Sequence, residues 1–100
     1  MSEPTTLIVT ATPNPNEMES MQGYLKGVLP LLMGAGGKLI KRVKVTDVVG
    51  GERSFGMVLV MGFDSKDKVT DMFASEDYQA LVPMRDRGFS SITLTLGADM

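Results

Sequence analysis

The sequence contains no cysteine, no histidine and no tryptophan. Without cysteine there can be no disulfide, no thiolate nucleophile and no cysteine-ligated metal. Without histidine the chain lacks the commonest general base near neutral pH and the commonest metal ligand. The acidic residues show no spacing typical of a ligand cluster. We therefore expect neither a metal site nor a cofactor.

The chain also lacks a surplus of positive charge and any long apolar run. Lysine and arginine number 10 against 12 acidic residues, a net charge of −2. Proteins that bind nucleic acid usually carry a basic surplus, so no nucleic-acid partner is expected. No apolar run approaches the roughly 20 residues that span a bilayer, and residues 1–4 have no basic or apolar leader pattern. We expect a cytoplasmic protein without a membrane partner.

The length and composition are those of one globular domain. The chain has 100 residues, of which 43% are hydrophobic and 22% charged. A chain of this size has room for one core, so residues 1–100 are expected to form a single domain. The structured part is predicted to span about residues 7–96.

Four segments have the period-two alternation of β-strands. They are predicted at Leu7–Ala11, Leu39–Val49, Phe55–Phe63 and Phe89–Leu96. The third is apolar on both faces, which is typical of a central strand. The second carries Lys41, Arg42 and Lys44, which favour an edge position because charge discourages unwanted pairing. The glycines at 50 and 51 predict a hairpin turn between these two strands.

Two helical regions lie between the strands. Asn14 as a cap, followed by Pro15 and Glu17, predicts the start of the first helix. Its apolar positions recur at spacings of three and four, namely Met18, Met21, Leu25, Val28 and Leu32. Pro30 is expected to bend or split its last turn, and the glycines at 34, 36 and 37 to end it.

The second helical region is predicted to begin near Asp64 or Ser65, with its inward face formed by Val69, Met72 and Phe73. Ser75 is expected to cap a further short helix that carries Tyr78 and Leu81. Pro83 is expected to weaken the continuation of that helix.

The order of elements, βαββαβ, predicts an α+β ferredoxin-like fold. Such a fold has a four-stranded antiparallel sheet with two helices on one face. The alternation assigns these residues to the helix-facing side: Leu7, Val9, Ala11, Leu39, Val43, Val45, Met57, Leu59, Met61, Ile92, Leu94 and Leu96. The other side is predicted to carry Ile8, Thr10, Ile40, Val58, Val60, Thr93 and Thr95.

That second side is too apolar to face water and is rich in hydroxyls. A contiguous apolar surface usually marks an interaction site. The simplest cover is a second copy of the same sheet, so we expect a homodimer. The threonines favour a lined cavity between the two sheets over solid packing.

Two stretches resemble a known family. Gly36-Gly37-Lys38-Leu39-Ile40, after a helix with Tyr24 and Pro30, is similar to the dimeric α/β-barrel superfamily. The stretch 73–85, Phe-Ala-Ser-Glu-Asp-Tyr-Gln-Ala-Leu-Val-Pro-Met-Arg, resembles its branch known as domain of unknown function thirteen-thirty. The resemblance extends over roughly Leu7 to Leu96.

The resemblance implies a ferredoxin-like subunit whose sheets pair into a barrel-like dimer. It implies no reaction, because that branch has no agreed function. Relatives in the wider superfamily include cofactor-free quinone monooxygenases, haem-degrading enzymes and lactone isomerases. The haem-degrading type relies on a histidine and a tryptophan, which are absent here.

Five residues are predicted to contact a small molecule, namely Tyr78, Arg85, Thr10, Thr93 and Thr95. Arg85 ends the family-like stretch, and a guanidinium grips carboxylates in a fork. The spacing 78, 81, 82, 85 is helical and predicts that Tyr78 and Arg85 share a face. The alternative for Arg85 is an ion pair with Asp86, and for Tyr78 simple packing. The alternative for the threonines is plain β-propensity.

Three further features favour structural roles. Arg87 is predicted to lie in a solvated turn, and Asp71, a conceivable general base, on a solvated helix face. Most of the nine methionines are predicted to pack in the core, although methionine also suits adaptable binding surfaces.

Two classes of function stay open. The first is a protein that binds a small apolar or acidic molecule in a cavity at the sheet face, without catalysis. The second is a cofactor-independent enzyme, similar to a monooxygenase or isomerase, that acts on a small ketone or acid. The missing histidine and cysteine favour the first. A buried carboxylate beside a ligand-sized cavity would favour the second.

Overall fold

The computed structural model of the protein describes residues 2–52 and 55–100. In chain order its elements are β1 (Thr5–Pro13), α1 (Met18–Gly34), β2 (Lys38–Lys44), β3 (Met57–Phe63), α2 (Lys66–Ala74), α3 (Glu76–Gln79), α4 (Val82–Gly88) and β4 (Phe89–Gly97). The strands form one sheet in the order β2-β3-β1-β4, and all neighbours are antiparallel. This confirms the predicted ferredoxin-like fold. No helix in the described ranges combines the length and apolarity needed to cross a bilayer.

The two faces of β1, β3 and β4 are those that the alternation predicts. Leu7, Val9 and Met61 are buried beneath the helices. In register, Leu7 pairs with Met61 on one side and with Leu96 on the other, so all three project to the helix side. Ile8 pairs with Val60 and Thr95, which places these three on the opposite face. We call this opposite side, which no helix covers, the open face.

β2 departs from the prediction because it contains an irregularity. The register with β3 shifts between Leu39 and Lys41. Beyond the shift Val43 pairs with Val58 and therefore lies on the open face, so its predicted helix-facing position is wrong. Arg42 and Lys44 pair with Leu59 and Met57 and lie on the helix side instead. An extra residue in one strand exchanges the two faces from that point onward.

β2 is also shorter than predicted. It ends at Lys44, so the residues from Val45 to Val49 belong to the connection and not to the strand. The edge position predicted from its charges is correct, and every residue of the strand is exposed. Gly51 lies in the connection with φ +79°, a conformation that glycine adopts without steric cost.

α1 begins later than predicted and buries only part of the predicted stripe. Asn14 does not cap it, because its side chain accepts a hydrogen bond from Asn16 N at 3.0 Å and forms a turn before the helix. The buried positions are Tyr24, Val28 and Leu32, whereas Met18 and Leu25 are 44% and 39% exposed.

α1 continues through Pro30 as one helix, so its last turn is not split there. Pro30 lies on the exposed side of the helix, where the carbonyl left without its partner can bond to water. The helix ends at Gly34, and Gly36 takes a positive φ of +89° just beyond it.

The second helical region consists of three short helices. Ser65 caps α2 as predicted, by accepting a hydrogen bond from Lys68 N. Ser75 caps α3 in the same way through Tyr78 N at 3.2 Å. Pro83 lies in the first turn of α4, where a residue without an N–H leaves no intrahelical bond unmade. The proline therefore helps to start a new helix after α3.

Glycines allow α4 to approach α1 closely. A Cβ added at Gly27 would lie 2.6 Å from Leu81 Cδ2, and one at Gly23 would lie 2.8 Å from Met84 Sδ. A Cβ at Gly88 would lie 2.5 Å from the backbone nitrogen of Met21. The segment that carries Tyr78 and Arg85 is thereby held directly against α1.

Candidate functional site

A narrow apolar cavity lies between α1 and the helix-facing side of the sheet. Its volume is about 40 Å³. Its wall consists of aliphatic, methionine and aromatic side chains, namely Leu7, Val9, Ala11, Tyr24, Leu25, Val28, Leu32, Met57, Leu59, Phe73, Phe89, Ile92 and Leu94. The cavity is on the side of the sheet opposite to the open face.

Among the described residues that line this wall, Tyr24 is the one whose side chain carries an oxygen. The residue is only 3% exposed, and its ring contacts Phe89 edge to face at a centroid distance of 5.9 Å. Its hydroxyl lies 2.8 Å from the hydroxyl of Tyr78. Both tyrosines of the protein thus meet in the core, although 54 positions separate them.

The position of Tyr78 is set by local structure and by aromatic packing. The Ser75 cap fixes the start of α3, and Leu81 N donates to Tyr78 O at 2.8 Å in the turn that leads to α4. The Tyr78 ring packs edge to face on Phe73 at 4.8 Å. Because Tyr78 is 2% exposed, its hydroxyl is held in one place by protein contacts.

Arg85 approaches Tyr78 from the last turn of α4. Its Nη1 donates to the Tyr78 hydroxyl at 3.1 Å, and its Nε donates to Asp86 Oδ1 at 3.2 Å. The predicted proximity of Tyr78 and Arg85 is therefore present, although two helices and not one bring it about. The predicted alternative, an ion pair with Asp86, is present too.

Tyr24 and Arg85 both hold their protons more strongly than isolated side chains do. Burial raises the pKa of Tyr24 well above its usual range. Burial lowers the pKa of Arg85, but the hydrogen bonds to Tyr78 and Asp86 outweigh it and leave the pKa raised. At neutral pH the site therefore presents a neutral tyrosine hydroxyl and a guanidinium cation.

Arg85, Tyr78 and Tyr24 together have one more hydrogen-bond donor than their mutual bonds use. The two hydroxyls carry two hydrogens, and the bond between them uses one. Arg85 donates its own hydrogen to Tyr78 and accepts none. One hydroxyl hydrogen is left without an acceptor among the described residues. That hydrogen belongs to Tyr24, whose side chain lines the cavity, when Tyr78 donates the shared bond, and to Tyr78 when Tyr24 donates it.

The three predicted threonines lie elsewhere. Thr10 pairs with Thr93 on the open face, and Thr95 pairs with Ile8 there. The Thr95 hydroxyl donates to Ile8 O at 3.1 Å. The sheet thus separates the threonines from Tyr78 and Arg85, and the five predicted residues do not form one site.

Two other candidates are solvent-exposed. Asp71 is exposed on α2 and does not line the cavity. Arg87 is exposed, as predicted, but it lies in α4 and not in a turn. Among the described residues no group of three or more aspartates and glutamates is arranged to hold a metal ion.

Tyr24 was missed by sequence reasoning. It precedes Leu25, which the helical spacing assigned to the core in its place. The sequence does contain a signal for its burial, because Tyr24, Val28 and Leu32 recur every four residues and so share one face of the helix. A tyrosine on a buried face also indicates a polar partner nearby, because a buried hydroxyl requires a hydrogen bond.

One family model matches almost the whole chain. The family model described as Domain of unknown function (DUF1330) matches residues 5–96. The chain therefore belongs to that family, as the resemblance predicted. No match to the sequence is found among curated proteins.

Solved structures of similar shape include proteins without assigned function. The protein of unknown function RPA0582 from Rhodopseudomonas palustris has a TM-score of 0.84 at 14% identity, over 100% of this chain and 85% of that one. A dimeric protein of unknown function with a ferredoxin-like fold, from Bacteroides fragilis, has a TM-score of 0.63 at 12% identity, with 96% of each chain covered. An ethyl tert-butyl ether D family protein from Bacillus halodurans has a TM-score of 0.66 at 17% identity, over 97% of this chain and 99% of that one. At these identities the likeness concerns the fold alone.

Proposed function

We propose that this member of the DUF1330 family binds a small, largely apolar molecule that carries a carbonyl or carboxylate oxygen. The molecule lies in the cavity beneath α1, with its oxygen at the Tyr24 hydroxyl. The observation that carries the proposal is an apolar wall that includes Tyr24, which shares one spare hydroxyl hydrogen with Tyr78.

Water is a poor occupant of such a cavity. A buried water molecule needs two to four polar partners, and only one lining residue, Tyr24, carries a hydroxyl. A molecule with an apolar body and one acceptor oxygen satisfies both parts of the wall at once. Arg85, through Tyr78, strengthens the donor because linked hydrogen bonds polarise one another.

The cavity has to widen to admit such a molecule. At about 40 Å³ it has room for roughly three waters. Leu25 is 39% exposed and Met57 is half-buried, so neither is fully locked by packing. Methionine also adapts its shape easily, because it has three rotatable bonds and no branch. These two side chains are the ones expected to move.

The test is a titration with methyl butyl ketone, a small apolar molecule with one carbonyl. The signal is the methyl resonance of isotope-labelled methionines, since Met57 lines the cavity and Met33 is 57% exposed on the far side of α1. We expect the Met57 resonance to shift and the Met33 resonance to stay. Tyr24→Phe should weaken the ketone about fivefold, which corresponds to the ~1 kcal/mol of a typical hydrogen bond.

Toluene serves as the matched probe, because it is apolar and has no acceptor oxygen. Its affinity should be the same in wild type and Tyr24→Phe. If the ketone shifts no methionine, or if Tyr24→Phe weakens toluene as much as the ketone, the proposal is wrong.

A second candidate is cofactor-independent catalysis on the same ketone or acid. The donor chain that ends in a guanidinium favours it, since such a chain would stabilise the oxygen of an enolate. Against it, no carboxylate among the described residues lines the cavity to act as a base. Deuterium exchange at the carbons next to the ketone distinguishes the two, because binding alone does not accelerate it.

The proposal includes a homodimer that forms through the open face. Ile8, Val58 and Val60 form an apolar patch there, and the bulge in β2 adds Val43 to it. The protein of similar fold from Bacteroides fragilis is described as dimeric. In such a dimer Thr10, Thr93 and Thr95 would lie between two sheets, where their role as ligand contacts stays a prediction.

A further inference from the structure

Some side chains of the cavity wall reach the surface. Leu25 from α1 is 39% exposed, and Met57 and Leu59 from β3 are half-buried. No helix covers β2, whose residues are all exposed. Met57 also borders a surface groove that contains Arg42 and Lys44. Cavity and groove therefore share one side chain as their boundary.

The bulge in β2 is what brings the two cations to this place. Arg42 pairs with Leu59 and Lys44 with Met57, so each cation lies beside a residue of the cavity wall and on the same side of the sheet. With unshifted alternation both would lie on the open face. Neither forms a salt bridge with an acidic residue in the described part of the chain.

Lys41 provides an internal comparison. It belongs to the same strand and is exposed like its neighbours, but it pairs with Val60 and lies on the open face. If these charges only protect the edge of the sheet, the face on which each one lies does not matter. Substitution of Lys41 therefore tests the general charge of the strand, and substitution of Arg42 and Lys44 tests the charge beside the cavity.

We propose that Arg42 and Lys44 form a cationic mouth to the cavity and select an acidic ligand. This rests on the proposed function and names its ligand class. The ligand is a short keto acid, with its carbonyl at Tyr24, its methylene chain beneath α1 and its carboxylate at the surface between Arg42 and Lys44.

The experiment compares γ-acetylbutyrate with its methyl ester by the Met57 methyl titration. The two probes share the ketone and the methylene chain, and only the acid is charged. We expect the acid to bind about three- to tenfold more tightly at low salt, the range that two exposed ion pairs supply. The preference should shrink as salt is added, because exposed charges are screened.

Two variants locate the origin of the preference. In Arg42→Gln/Lys44→Gln the acid should bind no better than the ester, whereas the affinity of the ester stays as in wild type. In the matched variant Lys41→Gln, which removes a charge from the other face of the same strand, the preference should persist.

The outcomes separate this inference from the proposed function. If the ester binds but the acid is no tighter in wild type, the cationic mouth is wrong and the cavity stands. A preference that survives in Arg42→Gln/Lys44→Gln also overturns it, because the charge is then recognised elsewhere, as by Arg85. If neither γ-acetylbutyrate nor its ester nor methyl butyl ketone binds, the proposed function itself fails.

Discussion

Gly88 is where the packing of α4 against α1 leaves least room, and Gly88→Ala tests that packing directly. The new Cβ would lie 2.5 Å from Met21 N, 2.6 Å from Met21 Cα and 3.0 Å from the carbonyl carbon of Ser20. These are backbone atoms, so no side-chain rotation relieves the contact. The two helices have to separate, and the bond from Asn14 N to Gly88 O at 2.9 Å has to stretch with them.

The expected cost follows from two opposing effects. Overpacking of a well-packed contact costs about 1–3 kcal/mol. Replacement of a helical glycine by alanine returns about 0.5–1 kcal/mol through lower chain entropy. We therefore expect Gly88→Ala to lower the free energy of unfolding by about 1–2 kcal/mol.

Urea unfolding measures this change, and Gly34→Ala is the matched control. Gly34 also ends a helix, but no atom lies within 4 Å of an added Cβ. That variant should be as stable as wild type or up to about 1 kcal/mol more stable. All proteins are compared at one concentration, since a dimer's stability depends on it. If Gly88→Ala unfolds at the wild-type midpoint, the close approach of α4 to α1 is wrong.

Three more predictions concern assembly, pH and cofactors. Val60→Lys should weaken the dimer in analytical ultracentrifugation, because it buries an unpaired charge. Val49→Lys, at a fully exposed position of the β2–β3 connection, should leave the dimer unchanged. A Val60→Lys dimer as strong as that of the wild type would contradict the assigned interface. Folding raises the pKa of Tyr24 above its ordinary value of 10.0, so the folded protein keeps a proton that the unfolded chain loses at high pH. The free energy of unfolding should therefore fall as the pH rises above about 10, and it should fall less in Tyr24→Phe. Identical pH profiles of urea unfolding in the two proteins would refute this. Haem titration should give no stoichiometric Soret shift and elemental analysis no tightly held zinc, since histidine and cysteine are absent; either signal would contradict the expectation.

Local patterns predicted much of the fold because their causes are local. The alternation of Leu7 and Val9 with Ile8 survives in β1, since successive side chains of a strand always point to opposite faces. Ser65 and Ser75 cap helices as predicted, because each accepts a bond from a backbone N–H only three residues ahead. Asn14 shows the limit of such reasoning, because its side chain had a second local partner in Asn16.

The candidate site was predictable only in part. The helical spacing of Tyr78 and Arg85 indicated their proximity, and the structure places them 3.1 Å apart. Thr10 lies on the face away from the helices, as strand alternation predicts, and its contact with a ligand stays a prediction.

The sequence by itself determined the fold family, the central and edge strands and the lack of histidine and cysteine chemistry, because these depend on composition and on periods of two to four residues. Only the tertiary structure decided which polar groups meet. Tyr24 and Tyr78 come within 2.8 Å because glycines let two helices approach each other across the core. Arg42 and Lys44 reach the helix side because the register of β2 shifts against β3. The tyrosine pair and the shifted register both depend on contacts between segments that are distant in the chain. A pattern among neighbouring residues contains no information about such contacts.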